Sequence, residues 1–225
     1  MEGHIVVINP NSNPDITERI DESLAPLRFA DGPQIICRTL AGAPLAIETE
    51  RDSVAVVAPL CELIRREDNT AAAFVVACFS DPGLYAAREV TNRPVFGIAQ
   101  AGLTVALNLG ERIGLIHNFD SDLAASKRYA RGIGIEARIA GDRGLNVGVT
   151  ELSDEDKVTG LMMQAGRALK HDKQADVLVF GCAGMTRYRA ALESELDIPV
   201  IDPTLVATGL AFTAARFDYH HASRH

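Results

Sequence analysis

The chain has no long apolar run, no excess of basic residues and no closely spaced cysteines. No stretch approaches the ~18 consecutive apolar residues of a transmembrane helix. The start, MEGHIVVINPNSN, has neither the basic region nor the apolar length of a signal peptide. The net charge is −8, and no basic stripe is interleaved with aromatic residues, which argues against nucleic acid or a membrane as a partner. We therefore expect a cytoplasmic protein.

Only four cysteines occur among the 225 residues, and none of them forms a Cys-x-x-Cys pair. None has a histidine at a metal-ligand spacing, so we expect no structural zinc site. The absent Cys-x-x-Cys pair also disfavours a thioredoxin-like redox role. Cys37 and Cys61 lie in apolar patterns, where a free cysteine usually behaves as a small hydrophobe, and we assign both to the core.

The other two cysteines each end an apolar, β-branched run. Cys78 lies in FVVACFSDPG and Cys182 lies in VLVFGCAGMT. Such runs, bounded by glycine and proline, predict buried strands of a parallel sheet. Because ligands of open α/β sheets bind beyond the carboxyl ends of the strands, both thiols are expected at a ligand site.

Strands and helices alternate along the chain, which predicts an α/β fold. Strands are expected at His4–Asn9, QIICRTL, Ala72–Ala77, Pro94–Ile98, ERIGLIHN, IEARIAG, VLVFG and PVID. The first expected helix is capped near Asp15 and ends at about Leu27, and the next covers Ser53–Arg66. Two more run from Asp81-Pro82 to about Asn92 and along AQAGLTVALNL to Gly110. In the second half, helices are expected over DLAASKRYARG, Ser153–His171 and Thr186–Leu196, and from Asp202-Pro203 to Phe217. Asp81 is predicted to cap the helix that follows it, and Ser153-x-x-Asp156 is a second capping signal. The tail DYHHASRH is expected to fray.

The second half of the chain repeats the order of the first. HIVVINPNSN matches RIGLIHNFDS with Ile8 and Ile116 108 residues apart; Cys78 and Cys182 are 104 apart, and Pro94 and Pro199 are 105 apart. Two such halves usually pack about a pseudo-two-fold axis. We expect two similar parallel-sheet lobes, residues 1–98 with about 205–225 and residues 99–204, and an active site in the interlobe cleft. The alternative is that the halves look alike only because both are α/β.

Two thiols that face each other suit proton transfer at a carbon next to a carbonyl. One thiolate removes the proton and the other thiol returns one to the opposite face, which inverts the centre without a cofactor. A helix start just after each cysteine, as expected here, lowers a thiol pKa from ~8.5, and the amides of those turns can hold an enolate-like oxygen. The pair therefore predicts a two-base racemase. The alternative for each cysteine alone is a buried residue at a strand end.

The segments VINPNSNP, VVACFSDPGLYAAREVTNRPVFGIAQAG and VLVFGCAGMTRY resemble the aspartate/glutamate/hydantoin racemase superfamily, above all its hydantoin and allantoin racemase branch. The resemblance spans the chain and implies two α/β lobes, no cofactor and a homo-oligomer. It implies that Cys78 and Cys182 are the acid–base pair. It also implies substrate contacts from Asn9, Pro10, Asn11, Ser80, Gly181, Ala183 and Gly184.

The sequence departs from the family in the loop after the first strand of the second half. A threonine-containing loop is common there, but this chain has Ile116-His117-Asn118-Phe119-Asp120-Ser121-Asp122. Asn118 and Ser121 can donate hydrogen bonds to a substrate, and His117 is either a third polar group of the site or a bystander. The two acids disfavour a plain dicarboxylate substrate.

The favoured substrate is therefore a small cyclic ureide, a 5-substituted hydantoin or allantoin. An aspartate-type amino-acid racemase and a maleate cis–trans isomerase of the same superfamily remain alternatives. A decarboxylase of this type keeps only one cysteine and is disfavoured by the second. A non-catalytic binding protein would leave both cysteines without a role.

Overall fold

The computed structural model describes residues 3–148, 151–152 and 155–222, the side chains of residues 155 and 156 excepted. The predicted capping signal Ser153-x-x-Asp156 lies outside the described residues. The chain divides into two compact units, Met1–Ala101 with Thr204–His225, and Gly102–Pro203. Within the described ranges, no helix combines the length and the apolar character needed to cross a membrane.

The first unit is built on a parallel sheet of order β2-β1-β3-β4. Its strands are β1 His4–Asn9, β2 Ile35–Thr39, β3 Ala71–Val76 and β4 Val95–Gly97. Its helices are α1 Pro14–Ser23, α2 Glu50–Ala55, α3 Val57–Glu67 and α4 Leu84–Ala87, and α5 Ile98–Leu109 begins in it. The strand β3 is buried along its whole length, because a parallel sheet is covered on both faces.

The second unit carries a parallel sheet of order β6-β5-β7-β8. Its strands are β5 Ile113–His117, β6 Ile139–Gly144, β7 Val177–Phe180 and β8 Val200–Ile201. Its helices are α6 Asp122–Gly132, α7 Glu155–Lys173 and α8 Arg189–Leu196, and α9 Pro203–Arg216 follows β8. Apolar side chains of β7, α7 and α8 form one buried cluster beside this sheet.

The two sheets repeat each other in register as well as in strand order. Ile8 of β1 is paired with Val76 of β3, and Ile116 of β5 is paired with Phe180 of β7. One residue later, the amide of Ala77 donates to the carbonyl of Ile8 at 2.8 Å and the amide of Gly181 donates to the carbonyl of Ile116 at 2.7 Å. The matching hydrogen bonds confirm the predicted α/β class with two similar parallel sheets.

The predicted helix from Asp81-Pro82 to Asn92 is wrong. Asp81 has a left-handed backbone with φ 45°, and the only helical turn in that stretch is the short α4, which starts after Gly83. Gly83 itself has φ 69°, a conformation that glycine adopts without strain. The Asp-Pro pair therefore belongs to a tight turn.

Four other boundaries differ from expectation. The predicted strand IEARIAG begins with a 3-10 turn at Glu136–Arg138, and the strand itself runs from Ile139 to Gly144. The predicted helix over Ser53–Arg66 is two helices, α2 and α3, that meet at Val56. The predicted helix over Thr186–Leu196 starts as a 3-10 turn at Ala183–Tyr188 before α8. The tail is anchored as far as His221, which donates its amide to the Asn92 carbonyl and accepts the Val95 amide on its ring at 3.0 Å.

Candidate active site

Cys78 stands two residues beyond the end of β3, at the carboxyl edge of the first sheet. It is half-buried. The Ala77 amide bonds to β1, which holds the chain in the sheet as far as the residue before the cysteine. Ser80 Oγ lies 3.4 Å from Cys78 Sγ. The thiol is therefore held by a rigid strand with a hydroxyl against the sulfur.

Asp81 fixes the turn that follows Cys78. Its amide donates to the Cys78 carbonyl at 2.9 Å. Its buried carboxylate accepts the amides of Ala99 and Gln100, each at 2.9 Å, and so caps the start of α5. Gly97 lies against the carboxylate, and a β-carbon there would overlap it. Asp81 therefore caps a helix 18 residues away, and no helix begins directly after Cys78 to lower its pKa.

Cys182 stands at the equivalent place in the second unit, two residues beyond the end of β7. It is half-buried and occupies the N-cap position of the 3-10 turn. A β-carbon on Gly184 would lie 3.9 Å from Cys182 Sγ and 3.2 Å from Leu152 Cδ1, so the turn passes close to the sulfur. Ala183 is buried. The predicted turn after Cys182 is thus present, in its tighter 3-10 form.

Gly181 and His117 pack directly against each other. A β-carbon on Gly181 would lie 2.5 Å from His117 Nδ1 and 2.9 Å from the Ile116 carbonyl oxygen. His117 Nε2 lies 3.1 Å from Asp142 Oδ1, and both side chains are buried. The same carboxylate oxygen accepts a hydrogen bond from Ser126 Oγ at 3.0 Å. Since a carboxylate only accepts, the imidazole donates from Nε2 and its Nδ1 faces Gly181.

The loop after β1 is organised by its own asparagines. Asn9 Nδ2 lies within 3.1 Å of three oxygens, those of the Asn11 side chain, the Asn13 carbonyl and the Thr17 hydroxyl. Asn9 Oδ1 accepts the Asn11 amide at 3.2 Å. Asn9, Pro10 and Asn11 are all buried. Because β1 is next to β3, this loop and Cys78 lie at the same edge of the first sheet.

The loop after β5 uses its polar side chains to fold on itself. Asn118 Nδ2 donates to the Val147 carbonyl at 3.0 Å. The carboxylate of Asp120 accepts from the Asn146 side chain and the Gly144 amide, and these hydrogen bonds, led by Asn146, lower the pKa of Asp120. Asp122 accepts the Phe119 amide at 3.0 Å. Asp120 and Asp122, the two acids of this loop after β5, therefore hold the backbone of the loop in place.

The two remaining cysteines differ from Cys78 and Cys182 in place and chemistry. Burial, together with a hydrogen bond with Asp21, raises the pKa of the Cys37 thiol to about 12. Burial also raises the pKa of Cys61, which lies inside α3. Neither follows a strand at a sheet edge. Within residues 3–148, 151–152 and 155–222, no group of three or more His, Cys, Asp or Glu side chains is arranged to hold a metal ion.

Each sheet edge thus gathers the predicted residues of its own unit. Cys78, Ser80 and the loop of Asn9 to Asn11 lie at the first edge, and Cys182, its flanking residues and His117 with Asn118 lie at the second. The sequence did not reveal Ser53, whose hydroxyl lies 3.3 Å from that of Ser80, or Asp142 behind His117. Asp142 lies in β6, whose sequence IAGDRG also carries a charged arginine, so the local pattern does not mark this aspartate as buried.

Comparison with known proteins places the chain among racemases. A family model described as Asp/Glu/Hydantoin racemase matches residues 5–211. A hydantoin racemase of Pseudomonas sp. (strain NS671) is 32% identical over 93% of this chain and 84% of the relative, and one of Paenarthrobacter aurescens is 31% identical over 96% and 92%. The structure of an allantoin racemase from Klebsiella pneumoniae is 28% identical, with a TM-score of 0.89 over 98% of this chain and 91% of that one.

Proposed function

Because this chain belongs to the Asp/Glu/Hydantoin racemase family, we propose that it racemises a cyclic ureide, a 5-substituted hydantoin or allantoin, without a cofactor. In this proposal Cys78 and Cys182 are the acid–base pair. Each cysteine acts on one face of the same substrate carbon. We also propose that the enzyme is a homo-oligomer, which sedimentation of the purified chain tests.

The matched register of the two cysteines carries the proposal. Cys78 comes two residues after Val76, which is paired with Ile8 of β1. Cys182 comes two residues after Phe180, which is paired with Ile116, the equivalent residue of β5. Cysteines that serve only as core residues have no reason to recur at equivalent positions of two units. Cys37 and Cys61, which have no such counterpart, have raised pKa values.

The chemistry needs only proton transfers between sulfur and carbon. One thiolate takes the proton at C5 of the ring, and the electron pair of the broken C–H bond moves into the adjacent carbonyl to give an enolate. The other thiol then protonates C5 from the opposite face and becomes a thiolate. Protons and charge balance, and the reverse reaction exchanges the roles of the two sulfurs.

The surrounding groups supply the polar contacts. The Ser80 hydroxyl lies next to one sulfur, and the turn after Cys182 offers backbone amides that can hold a developing oxyanion. We assign substrate contacts to Asn9, Pro10, Asn11, Ser80, His117, Asn118, Gly181, Ala183 and Gly184. The side-chain amides of Asn9 and Asn118 also bond to the chain and hold the two loops in place.

A cyclic ureide is favoured over a dicarboxylate for two reasons. The relatives at 31–32% identity are named hydantoin racemases, and the structure at 28% identity is an allantoin racemase. No lysine or arginine is among the residues assigned to the substrate, whereas two carboxylates would need cationic partners.

Incubation with single enantiomers in deuterated water tests the proposal. The panel is 5-methylhydantoin, 5-benzylhydantoin, allantoin, aspartate and maleate. We expect loss of optical rotation together with deuterium at C5 for a hydantoin or for allantoin, and none for aspartate. Exchange of aspartate alone, or conversion of maleate to fumarate, would assign one of the other superfamily reactions. Binding of the panel with no exchange would leave a non-catalytic binding protein.

A further inference from the structure

Two serine hydroxyls form a short chain that ends at Cys78. Ser80 Oγ lies 3.4 Å from the Cys78 sulfur, and Ser53 Oγ lies 3.3 Å from Ser80 Oγ. Ser53 belongs to α2, whereas Ser80 lies in the turn after β3. Cys78 and Ser80 are two residues apart in the same turn, whereas Ser53 is 27 residues away and is brought to Ser80 by the fold.

We propose that Ser53 and Ser80 form a hydroxyl relay that stabilises the thiolate of Cys78, and that Ser53 is a positioning residue of the reaction. The inference rests on the proposed function and extends it to a residue outside the substrate contacts. A thiolate only accepts hydrogen bonds, so Ser80 must donate to it, and the Ser80 oxygen is then free to accept from Ser53. Hydrogen bonds aligned in one direction polarise each other, which strengthens the bond to sulfur.

The relay belongs to the Cys78 side of the proposed pair. Ser80 is the residue two positions after Cys78, whereas the residue two positions after Cys182 is Gly184. A β-carbon at Gly184 would lie 3.9 Å from the Cys182 sulfur. The equivalent place in the second unit is therefore near enough for a hydroxyl, but its residue has no side chain to carry one.

The charged groups on the same elements are engaged elsewhere or act in the opposite sense. Asp81 directs its carboxylate to the amides of α5. On α2, Asp52 accepts the hydroxyl and the amide of Thr49, and Glu50 and Arg51 flank it. Nearby carboxylates disfavour a thiolate, whereas a cation favours it. Arg51 lies beside Asp52, and the Thr49 hydrogen bond together with the charge of Arg51 lowers the pKa of that carboxylate. The Ser80 and Ser53 hydroxyls are the groups that hydrogen-bond distances link to the sulfur.

Alkylation of Cys78 as a function of pH tests the relay without any need for turnover. The rate of iodoacetamide labelling of the Cys78 peptide, followed by mass spectrometry on the full chain, gives the apparent pKa of the thiol. We expect Ser80→Ala to raise that pKa by about one unit and Ser53→Ala by about half a unit, as for the loss of a hydrogen bond to a charged group. Ser53→Thr restores a hydroxyl and should keep the wild-type profile.

Ser23→Ala is the matched control, because the Ser23 hydroxyl also lies on a helix but donates to the Ile20 carbonyl. It should leave the labelling profile unchanged. A wild-type profile in Ser53→Ala, or an equal shift in Ser53→Thr, would overturn the relay. If Ser53→Ala does not fold, Ser80→Ala decides the question, since an unchanged profile there removes the relay as well.

The two proposals fail separately. A shifted labelling profile in a protein that exchanges no substrate proton would keep the hydroxyl contacts and refute the racemase. Exchange in the wild type with unshifted labelling in both alanine variants would keep the racemase and refute the relay. When both hold, the acidic limb of the kcat/KM profile of Ser53→Ala should move by the same half unit as its labelling profile.

Discussion

Replacement of Asp81 tests how the turn that carries Cys78 is held. The carboxylate accepts two amides of α5, each at 2.9 Å, while its own amide bonds to the Cys78 carbonyl. Asp81→Ala removes both acceptors and leaves two amides at the helix start without them. It also places alanine at φ 45°, where only Gly, Asn and Asp are readily tolerated.

The expected cost follows from these contacts. A hydrogen bond to a charged group contributes about 1.5–3 kcal/mol, an N-cap about 1 kcal/mol, and left-handed backbone on alanine about 1 kcal/mol. Because these effects overlap, we expect Asp81→Ala to lower the free energy of unfolding by about 3–4 kcal/mol. Asp81→Asn keeps one acceptor oxygen and tolerates the backbone, so about 1 kcal/mol is expected. Asp81→Gly, which loses the acceptors but relieves the strain, should lie between them.

Urea-induced unfolding followed by circular dichroism measures the series, with the exposed Asp31→Ala as control. The Asp31→Ala substitution should change the free energy of unfolding by less than about 0.5 kcal/mol. The order Asn, Gly, Ala from mildest to most severe is the signature of a cap in left-handed backbone. A cost below about 1 kcal/mol for Asp81→Ala, or an equal cost for the asparagine and alanine variants, would refute the reasoning.

Three further outcomes are expected. Gly181→Ala should lower the free energy of unfolding by about 2 kcal/mol and slow exchange, because its β-carbon meets the His117 ring, whereas Gly209→Ala, with nothing within 4 Å, should be neutral or mildly stabilising. Asn9→Ala should cost about 2 kcal/mol in the same urea titration, because a buried amide near three oxygens is lost. Cys37, whose pKa is raised to about 12, should stay unlabelled by iodoacetamide at pH 8, and rapid labelling there would contradict its raised pKa.

The strand ends and the repeat could be predicted from the sequence because they depend on local patterns. Apolar runs that end at Cys78 and Cys182 mark buried strands, and near-constant spacing between the halves carries the register from one sheet to the other. The family follows from the same segments. The strand ends, the repeat and the family can be predicted without knowing which side chains are in contact.

The contacts around the site could not be predicted because they join residues far apart in the chain. Asp81-Pro82 has the local form of a helix start, but the amides that Asp81 binds belong to α5, where Gly97 leaves room for the carboxylate. Ser53 meets Ser80 across 27 residues, and His117 meets Asp142 across 25. In each case tertiary packing determines the partner, and the local sequence does not distinguish it from other polar residues.

Proton exchange by the two single-cysteine variants tests the acid–base pair most directly. Cys78→Ser and Cys182→Ser would each be incubated with either enantiomer of the active substrate in deuterated water. We predict that neither variant interconverts the enantiomers at the wild-type rate. Each should still exchange the C5 proton of one enantiomer, and the enantiomer should be opposite in the two variants. Exchange of the same enantiomer by both variants, or full racemisation by either, would contradict the account.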